Sequence, residues 1–298
     1  MLLRPYHGQS FQKRDEVEQH ATDTSQPATT PVSGKAWFGD PLFTVGFLLW
    51  VLTMIVALVP ILPADVRSTF SDLWADFVTL PFTVGLAAWN FRRSESSAER
   101  RFWGLLATGF AMWIIVRILY VSWPDDLLVM ELDIATDVLY GAFYLMIALA
   151  LEMRPHREPR LRTSVRSNED GVSILTTVTF FAATVAYFVI VPAQGSPETH
   201  SWWAFSFGLY VVLDLYLVGR MLAISHRVRG PWSNVYRWLT ITFVMWAITD
   251  AAEAGLYAEV LPWVEPGDAP EVIWYIPTMI AVVAIRSRWW PARKQAER

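Results

Sequence analysis

The sequence predicts an all-α polytopic membrane protein of eight transmembrane helices, built as a parallel duplication of four-helix units. Three observations carry this expectation: apolar runs long enough to cross a bilayer, an alternation of basic and non-basic loops, and short motifs that recur 133 residues apart.

The first observation is compositional. Hydrophobic residues make up 54% of the 298, charged residues 17%, and the mean hydropathy is +0.31, a balance outside that of ordinary soluble domains. A spanning helix needs roughly 20 mostly apolar residues. Eight runs meet this length, at 42–62, 70–91, 102–123, 127–151, 172–192, 201–224, 236–262 and 271–287. The run at 70–91 is the least apolar, because Asp72 and Asp76 lie within it.

The second observation orients the chain. Lys and Arg collect in loops on the cytoplasmic side of a membrane. Arg92, Arg93, Arg100 and Arg101 follow the second run; Arg154, Arg157, Arg160, Arg162 and Arg166 the fourth; Arg227, Arg229 and Arg237 the sixth. Arg286, Arg288, Arg293, Lys294 and Arg298 follow the last, whereas the intervening loops carry a single cation, Arg67, among six acids. Both termini are therefore expected in the cytoplasm, in a cell inner membrane. Residues 1–40, polar and rich in Ser, Thr and Pro, read as a disordered cytoplasmic tail. The first four-helix unit then spans 41–153, a basic linker 154–171, the second unit 172–288 and a short cytoplasmic tail 289–298. The linker also suits anionic lipid headgroups, although topology alone explains its charge.

The third observation is the repeat. A shift of 133 residues places "FAMWII" (110–115) on "FVMWAI" (243–248) and "MIA" at 146–148 on "MIA" at 279–281. Four spans per copy preserve topology, giving parallel repeats about an axis along the membrane normal. The same shift lays Arg117 on Asp250, so opposite charges occupy equivalent positions.

Ionisable residues inside the spans mark the candidate site, since each costs about 2.5–3.5 kcal/mol at a helix centre and is usually paired or hydrated. By topology, Arg117, Asp133, Asp137, Asp250 and Glu253 fall in the outer third of their spans, with Asp214 near the middle of the sixth. Asp133 with Asp137 and Asp250 with Glu253 each share a helical face. Asp72 and Asp76 form another pair near the outer end of the second span. Acids outnumber the one arginine, so full mutual neutralisation is impossible. The expected arrangement is an outward-facing polar pocket of Arg117, Asp133, Asp137, Asp250 and Glu253, with Asp214 beneath. The plainer reading is a set of polar contacts that lock helices together. Trp113 and Trp246, one turn before Arg117 and Asp250, are expected as core.

Several chemistries lack their groups. There is no cysteine, and the three lysines (Lys13, Lys35, Lys294) lie outside the spans, which excludes a retinal Schiff base. The five histidines sit in tails, loops or span ends, and no Walker loop, nucleophile elbow or zincin motif is present. No cofactor, catalytic group or nucleic-acid partner is expected; the partners are the lipid bilayer and a membrane or cytoplasmic signalling protein. Pro81 and Pro277 are expected to kink their helices.

The pattern "FWGLLATGFAMWIIVRILY" (102–120) followed by "LDIATDVLYGAFYLMIALALEMRP" (132–155) resembles the N-terminal integral-membrane sensory regions of bacterial diguanylate cyclases and sensor histidine kinases. In those families a cytoplasmic output domain follows the last span, whereas here "RSRWWPARKQAER" holds neither. The resemblance implies a stand-alone sensing or scaffolding module that acts through a partner. A small-solute or ion transporter and a structural subunit of a larger membrane complex are the alternatives.

Overall fold

The computed structural model describes residues 40–59, 62–122, 129–156, 175, 177–182, 201–226, 228, 230–257, 260–262, 264 and 268–289. Among these every regular element is helical and none is a strand. In chain order they are α1 (Pro41–Leu58), α2 (Ala64–Trp74), a π-helical turn (Ala75–Thr79), α3 (Leu80–Arg93), α4 (Ser97–Ser122) and α5 (Val129–Glu152). Then follow α6 (Ser201–Ser225), α7 (Pro231–Tyr257), a 3-10 turn (Ala269–Trp274), α8 (Ile276–Arg286) and a terminal 3-10 turn (Ser287–Trp289). Four helices are long and apolar enough to cross a membrane: α4, α7, and the stretches Ala135–Glu152 of α5 and Gly208–Ser225 of α6. The expected fifth span at 172–192 falls mostly outside the described residues, of which 175 and 177–182 are helical. The tail 1–39 and the linker beyond His156 lie outside them as well.

Local sequence sets the helix ends. Ser96 accepts the Glu99 backbone N–H at 3.1 Å, a cap of the S-x-x-E kind that starts α4. Gly230 (φ 74°) followed by Pro231 starts α7, glycine taking the left-handed turn and proline the first helical position. Pro81 has no N–H for the carbonyl of residue 77, and its ring crowds that carbonyl. The helix answers by widening over Ala75–Thr79 into a π turn, so 64–93 runs on as one interrupted helix. Thr79 donates to the Trp74 carbonyl at 3.1 Å and Thr83 to the Thr79 carbonyl at 2.7 Å, which satisfies oxygens around the break. Pro277 likewise stands near the start of α8, where the preceding 3-10 turn gives way to α-helix.

The core is an aromatic ladder between α4, α5 and α7. Phe102, Trp103, Phe110, Phe143, Tyr236 and Phe243 are fully buried, with Trp246 nearly so. Trp113 meets Trp246 at 4.9 Å between ring centroids and Phe143 at 5.4 Å, so both tryptophans pack in the core. Gly109 brings α4 close to α5: a Cβ there would stand 3.1 Å from Ile147 Cδ1. The outward faces are apolar instead of polar. Val45, Leu48, Leu52 and Ile55 form an exposed stripe on α1, and Ile241, Val244 and Ile248 one on α7. In water such faces would aggregate; hydrocarbon solvates them.

Candidate functional site

Toward the C-terminal end of α4, Arg117 Nε donates to Asp76 Oδ2 at 2.5 Å. The π turn makes this contact. Ser68 and Ser71 are buried one turn apart, and the next buried position is five residues on, at Asp76, where regular α-helix would have presented residue 75. The widened turn swings the carboxylate inward to α4. On α2, Asp72 accepts the Tyr275 hydroxyl at 3.1 Å, and Ser68 donates to Glu271 at 3.1 Å. Glu253 of α7 accepts the Trp274 indole N–H at 3.0 Å and lies within electrostatic reach of Arg117.

Deeper in the bundle, α5 carries Asp137, Tyr140 and Tyr144 along one side. The Tyr210 hydroxyl of α6 donates to Asp137, and Tyr144 donates to Asp250 Oδ2 of α7 at 3.2 Å. Tyr210 stacks on Tyr144 with centroids 6.0 Å apart and meets Tyr140 edge-on at 5.4 Å. The Asp250 carboxyl faces that of Asp214. Asp214 is wholly buried on α6, and apart from Tyr144, which donates to Asp250, no N–H or O–H among the described residues points at its two oxygens.

Of the six residues picked out in the sequence, the structure sets Asp214 against Asp250 and places Glu253 one turn along α7 from them. Asp137 joins this group through the Tyr210–Tyr144 stack. Arg117 is hydrogen-bonded instead to Asp76, which the expected pocket omitted. The side chain of Asp133 lies outside the described residues. Sequence reasoning passed over the neutral donors Tyr144, Tyr210, Tyr275 and Trp274. Two of them were signalled by spacing: Tyr144 stands seven residues after Asp137 and Tyr210 four before Asp214, both on the acid's own face.

The opposite end of the bundle holds a second set of charges, also missed. Glu152, buried at the end of α5, is shared by Arg220 (2.5 Å) and Arg154 (3.0 Å). Asp40 accepts two bonds from Arg286, at 2.7 and 3.1 Å. Glu99 takes Arg288 at 3.0 Å and the Trp103 indole at 3.4 Å, while the Arg288 guanidinium lies 5.0 Å from the Trp232 ring centroid. His156 Nδ1 and the Tyr236 hydroxyl are 3.2 Å apart beside Glu152. Three of the arginines read from sequence as topology markers (Arg154, Arg286, Arg288) are therefore ion-paired with acids of this end.

No family model, no curated protein and no solved structure matches the chain. What the site can do is argued from its own groups. Its acids are met by phenols, an indole and a single arginine. These neutral donors hold a carboxyl group in place without cancelling its charge.

Proposed function

We propose that this protein is an eight-span inner-membrane sensor or accessory protein, both termini cytoplasmic, which passes a change in its intramembrane polar cluster to a signalling partner. One observation carries the reading: the acid contacts bridge elements belonging to different four-helix units. Asp72 of the first unit holds Tyr275 of the second; Asp137 holds Tyr210; Tyr144 holds Asp250. Ligand, ion or proton uptake by these carboxyls acts on the seam between the units, where a small change in bonding is amplified into helix rearrangement.

The duplication within this reading has support of its own. Moved along the chain by 133 residues, α4 would occupy 230–255, against Pro231–Tyr257 for α7, and 64–93 would occupy 197–226, against Ser201–Ser225 for α6. Helix pairings recur as well: α3 packs on α4 as α6 does on α7, and α4 on α5 as α7 does on α8. The equivalent residues Trp113 and Trp246 touch, as residues beside a two-fold axis do.

The absence of cysteine makes a direct test convenient, because introduced cysteines label without background. Spin labels at Val121→Cys on α4 and Ile248→Cys on α7, both on exposed faces, report the spacing of the units in nanodiscs. Asp250→Asn should shift the distance distribution relative to the unsubstituted cluster and change capture or activity of the partner. An unchanged distribution together with constant association with fixed partners would make the chain a structural subunit. Solute or ion flux in proteoliposomes that Asp214→Asn abolishes would make it a transporter, the alternative favoured by a wholly buried acid facing a second acid.

A further inference from the structure

Two carboxyl groups in direct contact inside a membrane bundle require something between them. Asp214 comes from α6 and Asp250 from α7, and each faces the other. The groups around the pair are Tyr144 from α5, whose hydroxyl donates to Asp250, and Glu253, one turn further along α7. Tyr210 of α6 stacks on Tyr144 but gives its hydroxyl to Asp137. From α4 the nearest cation is Arg117, and it is bonded to Asp76. Neither α3 nor α8 brings a charged group to the pair among the described residues. With both carboxylates ionised, two like charges would stand in contact at low dielectric with one phenol to share, an arrangement in which one acid keeps its proton.

We propose that Asp214 and Asp250 form a buried proton-binding dyad, in which one proton is held between the two carboxyl groups and Tyr144 donates to the Asp250 side. The proton supplies the donor that the Asp214 oxygens lack. The pair then carries one negative charge instead of two. A proton fits this geometry better than a metal cation, for two reasons. A cation would sit between the carboxyls and hold them apart, and it would need further oxygen ligands; among the described residues no three acids or histidines converge as such a site demands. The Tyr144 hydroxyl also directs its hydrogen at Asp250, which opposes a cation lodged there. The inference rests on the polar cluster described above and names its ligand, but it requires no partner.

Infrared spectroscopy of the full-length protein in nanodiscs tests it. Wild type in neutral buffer should show the carbonyl band of a protonated carboxyl group in a non-aqueous setting, shifted on H/D exchange. Asp214→Asn supplies an amide donor to Asp250 and should abolish the band; Tyr144→Phe should move its frequency without removing it. If Asp214→Asn does not fold, the Tyr144→Phe shift decides alone. No band in wild type would overturn the dyad. So would a band that neither substitution changes, and so would a band that sodium abolishes and choline leaves intact, which would assign a metal-cation site. Because the spectrum is read without any partner, failure here leaves the sensor reading standing. Failed partner signalling likewise leaves the dyad standing.

Discussion

The two ends of this bundle solve the same problem in opposite ways. At the Glu152 end, each buried acid meets arginine: Arg220 and Arg154 on Glu152, Arg286 on Asp40, Arg288 on Glu99. At the Arg117 end, one ion pair serves a larger set of acids, and Asp72, Asp137, Asp250 and Glu253 rely on tyrosine and tryptophan. A carboxylate matched by a guanidinium has spent its charge, and removing either partner strands the other. One held by a neutral donor keeps its charge and can still take a proton or cation. The first end is a brace; the second remains responsive.

That contrast is open to attack by substitution. The largest effect is expected for Glu152→Gln, which leaves Arg220 and Arg154 without their common anion. Glu152 is buried while Arg220 is partly open to solvent, so the loss should fall near the lower limit for a broken buried pair, about 3 kcal/mol. Reversible unfolding in mixed detergent measures it. Next is Arg117→Met. A third of the Arg117 side chain is exposed, so its pair with Asp76 is worth less, about 1 kcal/mol. A double-mutant cycle with Asp76→Asn should recover that coupling, and a value as large as the Glu152 loss would erase the contrast between the ends. Smallest is Tyr144→Phe, expected to cost about 0.6 kcal/mol, the usual worth of a polar contact between membrane helices. Its effect should instead be visible in the unit spacing reported by the spin labels.

The fold class was legible because lipid imposes it: a long apolar run has no alternative to helix. The ionisable residues were legible as positions for the same reason, since their cost makes them conspicuous. Their pairing was not. Arg117 was laid against the acids of α5 and α7, and its bond to Asp76 depends on a π turn that hydropathy does not register. Pro81 was the visible trace, but a proline announces a break without saying whether the helix will bend or widen. Tyr144 and Tyr210 were hidden because an aromatic residue in a span reads first as packing. Glu152 and Glu99 were overlooked for the company they keep: acids beside arginine-rich loops look like surface charge, yet both are buried.

The inserted residue at Ala75–Thr79 has one more implication. It works as a phase shifter within a single rod. On one side of it the helix shows Ser68 and Asp72 to the segment around Glu271 and Tyr275; on the other it keeps Asn90 bonded to the Ile285 carbonyl and the Trp289 indole. Each stretch keeps its own angular setting, and the extra residue absorbs the difference. Losing one codon there would turn Asp76 away from α4 while sparing the contacts on either side. The corresponding place in the other half, reached by the 133-residue shift, is uninterrupted α-helix, and Pro81 itself falls on Asp214. Where one copy breaks its helix to bring in an acid, the other builds the acid into the helix.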